Sequence, residues 1–564
     1  MLSCLSRRGP DDKGFLHFPE AVIGQTRLSI VDLTGGHQPM KDNTNPHAIV
    51  FNGEIYGYKD LRNDLILKGH KFSTNSDTEV ILKAYAEYGK DCVKYIDGMF
   101  AFAIWDEKKK EMFIARDRFG KKPFYFATVN DVFIAASEIK SIFATKLIKG
   151  KIDPVALDGF LQYMYVAPNR TIYENIHTVL PAHAGIVKDG KLETWRYWDL
   201  EKKEISVTRD KAKNTIKKLF DEAVKKRMVA DVEVGSLLSG GVDSTLVTHY
   251  AQKYSTFPIK TFSVGYEGNK NELPFALEAS KKIGTDHHSL NVKENLINAL
   301  EEIIEYMDEP HADTSNFPQH LISGLAATKV KVALTGDGAD ELFMGYGWYQ
   351  KYWHTPRWSL GRIFGNSYTA AQKTVTVFDD SERKSLLRTA TSQDSFKTDV
   401  SKGARNPIEK INAFDLKYYL PGQLLSKIDR TSMMHSLEIR SPFLDTALVE
   451  YVYNLPVEFK LSKTENKIIL KEILAEIFPK EFVYRRKQGF GAPVDSWLTD
   501  ASMKSYIDKL FTENSLAFKY IDKNTALKVC DTFYAGNKKY ATKLWLILCL
   551  LVWFKKHANY HAEA

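Results

Sequence analysis

The chain has 564 residues, more than a single hydrophobic core normally serves, so two or three domains are expected. Hydrophobic residues make up 44% and charged residues 26%, which is typical of a globular protein and excludes a disordered or fibrous one. The net charge of +8 is scattered over lysine pairs and forms no basic stripe, which argues against nucleic-acid binding.

The first third of the chain is predicted to be a β-sandwich flanked by helices, an α+β domain. Short alternating or apolar runs separated by polar turns predict strands, and one longer amphipathic stretch, residues 78–88, predicts a helix. The predicted strands are residues 48–52, 99–105, 111–115 and 131–135. A connector with Pro168, Pro181 and the aromatic cluster 195–198 is expected next, and the charged segment 201–210 marks the boundary. We therefore predict domains at residues 1–190 and 205–564.

The second domain is predicted to be a doubly wound parallel α/β sheet with helical additions, because strand and helix periods alternate. The predicted helices are residues 212–226, 244–252, 273–283, 296–307 and 318–328, and the predicted strands are residues 235–238, 259–264 and 330–334. Residues 350–410 lack clear motifs and are expected to be helical scaffold.

Nothing in the sequence predicts export or membrane insertion. The start lacks an apolar signal region, and residues 544–554 form a buried closing helix too short for the about 20 residues that a bilayer requires. The cysteines Cys4, Cys92, Cys530 and Cys549 have no metal-ligand spacing and are too few for a disulfide framework. A cytoplasmic location is expected.

Residues 234–248 form an apolar strand that runs into a Ser-Gly-Gly turn and then a helix. Gly240 and Gly241 let the backbone approach an anion closely, and the helix start near Asp243 offers unpaired N–H groups and a positive dipole end. Asp243 adds a carboxylate suited to Mg²⁺. The loop lacks the spacing and the lysine of a Walker A motif. The sequence therefore predicts a pyrophosphate site of another type.

A second loop, residues 332–346, again follows an apolar strand and is rich in carboxylates. Asp337, Asp340 and Glu341 lie so close in sequence that a metal, a cationic group or helix-start amides must offset their repulsion. A buried-type strand usually delivers its following loop to the carboxyl edge of a parallel sheet, where ligands bind. A ligand site is therefore favoured over a solvated acidic turn.

Together these loops resemble the synthetase domain of the glutamine-dependent asparagine synthetases, members of the PP-loop ATP pyrophosphatase group. The similarity continues in residues 425–433, 437–445, 467–470 and 486–491. The resemblance implies ATP and Mg²⁺ as cofactors and amidation of a carboxylate through an acyl-adenylate, with release of AMP and pyrophosphate.

The same resemblance implies roles for individual residues. Nucleotide contacts fall on Leu237, Val264, Thr335 and Gly336, and the pyrophosphate and Mg²⁺ contacts fall on Ser239, Gly240, Gly241, Asp243 and Ser244. Asp337 assists adenylate formation and accepts a proton from ammonia, and Lys467 touches the phosphates. Asp340, with Asp243, binds the metal; a substrate role for Asp340 and a merely solvated Lys467 are the alternatives.

The first third carries an independent resemblance to the family's N-terminal nucleophile hydrolase domain, a glutaminase, through residues 8–11, 26–32, 52–56 and 76–79. The implied glutamine-binding residues are Arg27, Leu28, Ser29, Ile30, Val31, Asn52, Gly53, Glu54 and Asp77. Arg27 would pair with the α-carboxylate, Asp77 and Glu54 would take the α-amine, and Asn52 with Gly53 would form the oxyanion hole.

One part of that glutaminase pattern is missing. The family's nucleophile is a cysteine exposed by removal of the initiator methionine, whereas this chain begins Met-Leu-Ser-Cys and reaches the Arg-Gly-Pro-Asp motif at residue 8. Cys4 is therefore not expected to be the nucleophile. Either the chain starts late, so that the domain is truncated by roughly one strand and most of a helix, or the glutaminase is degenerate; the surviving clamp residues favour a late start. As written, the chain is expected to use free ammonia.

The acceptor is less well defined. Residues 308–316 resemble a segment that lines the family's acceptor site, and aspartate is the commonest acceptor. A sugar acid of a surface polysaccharide or a secondary-metabolite carboxylate is the alternative, and a catalytically silent scaffold or a β-lactam-forming synthetase fits the sequence less well. Small-molecule substrates and a homodimer are the expected partners, without nucleic acid or membrane.

Overall fold

The computed structural model of the protein describes residues 1–266, 272–292, 296–354, 375–389, 404, 406–485, 491–513 and 515–561. The predicted motif segment 486–490 and much of the predicted scaffold 350–410 lie outside these residues.

The N-terminal part contains eleven strands and four α-helices. The strands are β1 (Asp12–His17), β2 (Val22–Arg27), β3 (Met40–Lys41), β4 (His47–Ile55), β5 (Gly98–Asp106), β6 (Glu111–Arg116), β7 (Tyr125–Val129), β8 (Val132–Ala136), β9 (His177–Thr178), β10 (His183–Lys188) and β11 (Lys191–Arg196). The helices are α1 (Tyr58–Leu67), α2 (Asp77–Tyr88), α3 (Ile139–Phe143) and α4 (Pro154–Tyr163).

These strands form the predicted sandwich. An antiparallel sheet in the order β11-β10-β6-β5-β4-β3 is one layer, and the smaller sheets β1-β2 and β8-β7-β9 lie on one of its faces. The pleat explains both contacts, since Phe100 and Phe102 of β5 pack in the core that contains α1 and α2, whereas Ala101 and Ala103 face the smaller sheets.

The predicted connector was partly wrong. The β10–β11 hairpin supplies two strands of the six-stranded sheet, so regular structure continues through the predicted connector as far as Arg196. The prolines and aromatic residues of the segment suggested irregular chain, but its alternating residues pair with β6. A stretch without regular structure follows at residues 197–208.

The described residues of the C-terminal part form five strands and many helices. The strands are β12 (Val234–Leu237), β13 (Lys260–Tyr266), β14 (Asp286–Val292), β15 (Val332–Leu334) and β16 (Glu438–Arg440). The helices up to the second loop are α5 (Arg209–Arg227), α6 (Val242–Lys253), α7 (Leu273–Ile283), α8 (Leu296–Tyr306), α9 (Asn316–Ala327) and α10 (Ala339–Leu342). The later described helices are α11 (Gly347–His354), α12 (Asp380–Leu386), α13 (Pro407–Phe414), α14 (Ser426–Met433), α15 (Thr446–Asn454), α16 (Ile468–Ala475), α17 (Lys480–Val483), α18 (Val494–Leu498), α19 (Ala501–Thr512), α20 (Lys523–Tyr534) and α21 (Ala541–His557).

All five strands pair in parallel in the order β14-β13-β12-β15-β16, which confirms the predicted doubly wound sheet. The strand order reverses between β12 and β15. In such sheets the loops after the two strands at the reversal open a crevice for ligands. The two loops singled out in the sequence are the loops that follow β12 and β15.

The closing helix α21 is buried along residues 544–554, as predicted. Within the described part of the chain, no helix combines the length and apolarity needed to span a bilayer.

Candidate functional site

The loop after β12, residues 238–241 and called the anion loop below, has a shape suited to binding an anion. Gly240 has φ of 75°, and a Cβ there would lie 2.5 Å from the backbone carbon of Phe275. The hydroxyl of Ser244 accepts a hydrogen bond from the Ser239 N–H at 3.2 Å, so the first turn of α6 is tied to the end of the strand. Gly241 provides no side-chain cap for α6. The first amides of this helix are therefore available to a ligand.

The loop after β15 contacts the first loop directly. A Cβ on Gly336 would lie 2.8 Å from the Asp243 Cβ, so only glycine fits between the two loops. Thr335 Oγ1 donates to Asp337 Oδ2 at 2.6 Å, and Ser441 donates to the Asp337 carbonyl oxygen. Burial raises the pKa of Asp337 above its ordinary value, although Lys427 and the Thr335 hydrogen bond act in the opposite direction.

Asp243, Asp340 and Lys467 form a compact charged cluster between the loops. Lys467 Nζ lies 2.6 Å from Asp243 Oδ2 and 2.6 Å from Asp340 Oδ1. The lysine side chain is only 4% exposed, which excludes the alternative of a solvated helix lysine. The cluster thus brings together three residues that the sequence assigned to one site.

The same cluster fits the chemistry of Mg²⁺. Asp243 Oδ1 is buried and has no hydrogen-bond partner among the described residues, which is unusual for a carboxylate oxygen. Asp340 offers a second carboxylate from the neighbouring loop. Hard divalent cations prefer such oxygen donors together with substrate phosphates. Asp243 and Asp340 are therefore suited to hold the metal.

Leu237 and Val264, the predicted nucleotide contacts, are buried near the ends of the adjacent parallel strands β12 and β13. Together with Thr335 and Gly336 they belong to the carboxyl edge of the sheet. The structure thus gathers the predicted nucleotide contacts at the crevice where the strand order reverses.

Arg485 is a site residue that the sequence analysis missed. Its guanidinium donates to the carbonyl oxygen of Gly240 and lies 4.1 Å from the ring centre of Phe275 and 4.4 Å from that of Phe482. It therefore holds the back of the anion loop. Its only signal in the sequence is its position next to the motif that begins at residue 486.

The predicted acceptor segment divides into two groups with different surroundings. Asp308 pairs with Arg430 at 3.1 Å and accepts a hydrogen bond from the Ile139 N–H at 2.6 Å. Glu309 likewise accepts a hydrogen bond from the Ile172 N–H of the N-terminal part at 2.8 Å. These two acids therefore help to hold the halves together.

The other group of this segment lies toward Asp337. Asp313 accepts a hydrogen bond from Lys427 Nζ at 3.2 Å, and Lys427 also donates to Ser315 at 2.7 Å. The lysine keeps the pKa of Asp313 below its ordinary range against the effect of burial, and it acts electrostatically on Asp337 as well. A cation and an anion, paired with each other, thus lie in the same region as the predicted catalytic carboxylate, on which the cation acts electrostatically.

A cavity of about 520 Å³ lies in the N-terminal sandwich. It is lined by every predicted glutamine-binding residue except Ser29, whose N–H instead donates to Asp11 at 2.7 Å. The floor is formed by strands β4, β5 and β6, and the walls include β2 and β8. The predicted clamp residues thus surround one space.

Within this cavity, two predicted side-chain roles are occupied by other contacts. The Arg27 guanidinium donates to the carbonyl oxygens of Val31 and Asp32 at 3.0 and 2.8 Å. The Glu54 carboxylate accepts a hydrogen bond from Arg440 at 2.7 Å and so points toward the C-terminal part. Asp77 accepts from the Ile55 N–H at 3.0 Å, and burial raises its pKa to about 6.

The four cysteines are not part of this cavity. Leu2 and Leu5 line it, but Cys4 between them is not among the described lining residues, and it belongs to a short 3₁₀-helix. Cys92 and Cys549 are buried elsewhere, where burial raises the pKa of each thiol. The cavity as described therefore has no thiol next to the predicted oxyanion hole.

Comparison with known proteins gives two family matches. A family model described as asparagine synthase matches residues 215–555, more than half of the chain, and one described as a glutamine amidotransferase domain matches residues 1–198. The chain belongs to the asparagine synthase family. It is a ligase of the glutamine-hydrolysing asparagine synthetase type, and its family relatives support ATP-dependent amidation as its reaction.

Named relatives of this asparagine synthase family member cover nearly its whole length. Asparagine synthetase [glutamine-hydrolyzing] 1 of Bacillus subtilis is 31% identical, over 98% of this chain and 92% of that protein. Asparagine synthetase [glutamine-hydrolyzing] 3 of the same organism is 34% identical over 87% and 83%. The amidase chyE of Penicillium rubens is 27% identical over 94% and 89%.

Among solved structures, the glutamine phosphoribosylpyrophosphate amidotransferase of Bacillus subtilis aligns with a TM-score of 0.27 and 14% identity. The alignment covers 53% of this chain and 65%, just under two thirds, of that one.

In this asparagine synthase family member, Arg440 connects the two candidate sites. Its side chain is fully buried, donates to Glu54 at 2.7 Å and to Glu438 at 2.9 Å, and its carbonyl oxygen accepts the Thr335 N–H at 3.0 Å. A cavity of about 30 Å³ lies nearby, lined from both halves by residues that include Met99, Thr335 and Ser441. That space suits a molecule the size of water or ammonia.

Proposed function

We propose that the protein converts aspartate to asparagine by forming β-aspartyl-AMP from ATP and then attacking this intermediate with ammonia. The observation that carries the proposal is the convergence of Asp243, Asp337, Asp340 and Lys467 at the sheet edge where strand order reverses. A carboxylate is a poor electrophile at neutral pH, and adenylation provides a leaving group that overcomes this.

The anion loop binds the β- and γ-phosphates, which leave as pyrophosphate. The amides of the first turn of α6 would face these phosphates, and the hydroxyl groups of Ser239 and Ser244 would donate to them. The Gly241 N–H, which donates to Ser239 Oγ at 3.2 Å, would become available as that hydroxyl turns to the ligand. Leu237, Val264, Thr335 and Gly336 surround the nucleotide. Lys467 offsets negative charge as pyrophosphate departs. Mg²⁺, held by Asp243 and Asp340, would neutralise phosphate charge when bound.

Asp337 is proposed as the group that accepts a proton from the attacking ammonia. Ammonia adds to the acyl carbon of the adenylate, the C–N bond forms, AMP leaves, and the amide nitrogen must lose protons. A carboxylate whose pKa is raised by burial is a better proton acceptor than an ordinary aspartate. The Thr335 hydroxyl, which donates to Asp337 at 2.6 Å, holds this carboxylate in position.

Aspartate is favoured as the acceptor by the pair Lys427 and Asp313. An amino acid carries a carboxylate and an ammonium, and these two side chains offer the complementary charges beside Asp337. A sugar acid would bring no ammonium to Asp313, which would keep Lys427 as its partner. One relative that is 27% identical is named an amidase, so acids other than aspartate are included in the test.

Exchange of labelled pyrophosphate into ATP, measured with a panel of carboxylic acids, tests the acceptor. We expect exchange with aspartate and much less with succinate, which lacks the ammonium, or with glucuronate. Exchange driven best by a uronic acid would replace aspartate as the acceptor. Absence of exchange with every acid, in the presence of Mg²⁺, would reject the reaction.

For the nitrogen source, we propose that the cavity of the N-terminal part binds glutamine through Arg27, Asn52, Gly53, Glu54 and Asp77, with Leu28, Ser29, Ile30 and Val31 shaping its wall. Glutamine would then have to compete with the carbonyl groups that now engage Arg27. Because no thiol lines the cavity as described, we expect this polypeptide to make asparagine with ammonium chloride and to release little glutamate from glutamine. Glutamate release matching the ammonia-dependent rate would contradict this.

A further inference from the structure

The ammonium of Lys467 lies between the two loops, at the position where a metal ion is expected to bind. Its Nζ is 2.6 Å from one carboxylate oxygen of Asp243 and 2.6 Å from one of Asp340. These side chains are 18% and 19% exposed, and among the described residues Lys467 is a cation within ion-pair distance of both. It offsets the repulsion between two carboxylates that the strand order brings together.

Several backbone features hold Lys467 in this position. The residue has φ of 51°, a left-handed conformation that residues with side chains rarely adopt, immediately before α16. A Cβ on Gly345 would lie 2.0 Å from Asp340 Oδ1 and 2.0 Å from Lys467 Cε, so only glycine leaves room for the pair. Asn466 fixes the same glycine by donating to its carbonyl oxygen at 2.6 Å.

Lys467 and a divalent cation compete for the same space. A cation coordinated by Asp243 Oδ2 and Asp340 Oδ1 requires the volume that Nζ now fills, because Nζ lies 2.6 Å from both of these oxygens and metal-to-oxygen distances are about 2.1 Å. Expelling Lys467 without a new anionic partner would leave a buried ammonium unpaired, which is costly. The polyphosphate of ATP offers such a partner.

We propose that Lys467 is a stand-in cation: it keeps divalent metal out of the nucleotide-free site and moves onto the phosphates when ATP arrives. The inference rests on the proposed function, because ATP is taken as the new partner of Lys467. The unpartnered Asp243 Oδ1 then becomes a ligand atom as the lysine leaves. Metal and nucleotide therefore bind with strong positive coupling, and by reciprocity each raises the affinity for the other.

Binding of Mn²⁺ to the full-length chain, followed by the electron paramagnetic resonance signal of free Mn²⁺, tests this exchange. In the nucleotide-free wild type we expect weak Mn²⁺ binding. Addition of α,β-methylene-ATP should strengthen Mn²⁺ binding to the protein about tenfold or more, after the Mn²⁺ that the nucleotide binds in solution has been subtracted. Lys467→Met should bind Mn²⁺ about tenfold or more tightly than the wild type without nucleotide, and the nucleotide analogue should then strengthen Mn²⁺ binding by a smaller factor than it does in the wild type.

The matched control is Lys471→Met. Lys471 lies one turn further along α16 and donates to Asn466 Oδ1 at 3.1 Å, outside the carboxylate pair, so this variant should bind Mn²⁺ as the wild type does. Asp340→Asn should abolish the gain in Lys467→Met, which assigns the added binding to this site. Circular dichroism monitors folding, and Lys467→Gln replaces the methionine variant if that variant does not fold.

Nucleotide-free wild type that binds Mn²⁺ as tightly as Lys467→Met would overturn the inference. Equal Mn²⁺ affinity with and without the nucleotide analogue would overturn it as well. Pyrophosphate exchange on the same wild-type preparation separates this failure from failure of the reaction. Exchange together with tight nucleotide-free Mn²⁺ binding rejects only the stand-in role, whereas no exchange together with the expected Mn²⁺ pattern rejects only the reaction.

Discussion

Asp337 illustrates how one side chain can be prepared for proton transfer by its surroundings. Burial raises its pKa, and the hydroxyl groups of Thr335 and Ser441, which donate to its carboxylate and to its carbonyl oxygen, hold its loop in place. Burial makes the ionised form of a carboxylate less favourable, and this unfavourable free energy is removed when the carboxylate accepts a proton. Neither Asp340 nor Asp243 can take this role while each contacts Lys467.

We expect Asp337→Ala to reduce AMP formation by about two to four orders of magnitude without unfolding the protein. The carboxylate must be ionised to act, so in the wild type kcat/KM should rise with pH through a pKa above the about 4 of an ordinary aspartate. AMP release is measured by chromatography from pH 5 to 9. Asp337→Asn keeps the shape of the side chain and should be equally inactive; near-normal rates in either variant would remove Asp337 from the mechanism.

Glu341 provides a different titration at the residue scale. Burial raises its pKa to about 8, Tyr346 donates to Oε1, and Oε2 has no partner in the described structure. Its pKa is therefore higher in the folded than in the unfolded state, where an ordinary glutamate has about 4.3. The stability that this group contributes is fully present below the unfolded-state pKa of about 4.3. It is lost as pH rises from there through the folded-state pKa of about 8.

Glu341→Gln removes this titration while keeping a similar shape. We expect the thermal midpoint of the variant, relative to the wild type, to increase steadily between pH 5 and pH 8 and to level off above. Differential scanning calorimetry across this range measures the difference. A constant difference would mean that Glu341 is ionised in the folded protein at all of these pH values.

The anion loop acts at the scale of one strand, one turn and one helix. Gly240 has φ of 75° and also packs against the backbone of Phe275, while Arg485 holds its carbonyl oxygen. Two separate requirements therefore meet at one residue: a left-handed backbone conformation and the absence of a side chain. The loop geometry follows from the packing of α7 and α17 against it as much as from its own sequence.

Gly240→Ala should reduce pyrophosphate exchange by more than tenfold, mainly by raising KM for ATP, because the loop must shift to avoid the clash at 2.5 Å. Left-handed strain alone costs about 1–2 kcal/mol. Gly284→Ala is the matched control, since Gly284 has φ of 84° but open space where its Cβ would be. If both variants retain equal exchange activity, the close approach at Gly240 has no role in binding ATP.

Much of the parallel sheet could be predicted because β12, β13 and β15 are apolar runs that precede polar turns. β14 could not, since it is an edge strand whose alternating residues, including His287 and His288, read as loop. β16 is only three residues long and carries Glu438 and Arg440, charges that look exposed in the sequence. They are buried because Arg440 meets Glu54, 386 positions earlier in the chain.

The same reasoning explains what could be predicted of the site. Both loops carry local signals, so glycine and carboxylate spacing predicted an anion loop and an acidic ligand loop, and the individual ligand contacts remain predictions implied by the family resemblance. The contact between Lys467 and Asp243 spans 224 positions and depends on tertiary packing, so its geometry was beyond the sequence. The contacts of Arg27 and Glu54 were likewise beyond the sequence. Arg27 donates to the carbonyl oxygens of the turn at residues 31 and 32, and Glu54 accepts from Arg440 in the other half of the molecule.

At the scale of the whole molecule, buried ion pairs join the two halves. Arg8 forms two hydrogen bonds with Asp429, at 2.7 and 3.0 Å, and Arg440 pairs with Glu54 at 2.7 Å. Such pairs contribute little net stability compared with apolar contacts, but each becomes expensive when one partner is removed. They therefore specify how the halves meet, and Arg440 does so at the floor of one site and beside the loop of the other.

A double-mutant cycle measures this coupling between the halves. Among the described residues, Arg440→Met leaves Glu54 without its ion-pair partner and Glu438 with only Lys122, at 3.8 Å, and should destabilise the protein by about 3–5 kcal/mol in urea unfolding. Adding Glu54→Gln removes one stranded charge, so the double variant should recover part of the loss instead of adding to it. Arg227→Met, which breaks a buried pair with Asp445 and leaves Glu54 paired, is the control in which Glu54→Gln should give no recovery. Simple additivity in both backgrounds would mean that Glu54 is neutral in the folded protein and that the arginine does not hold the two sites together by charge.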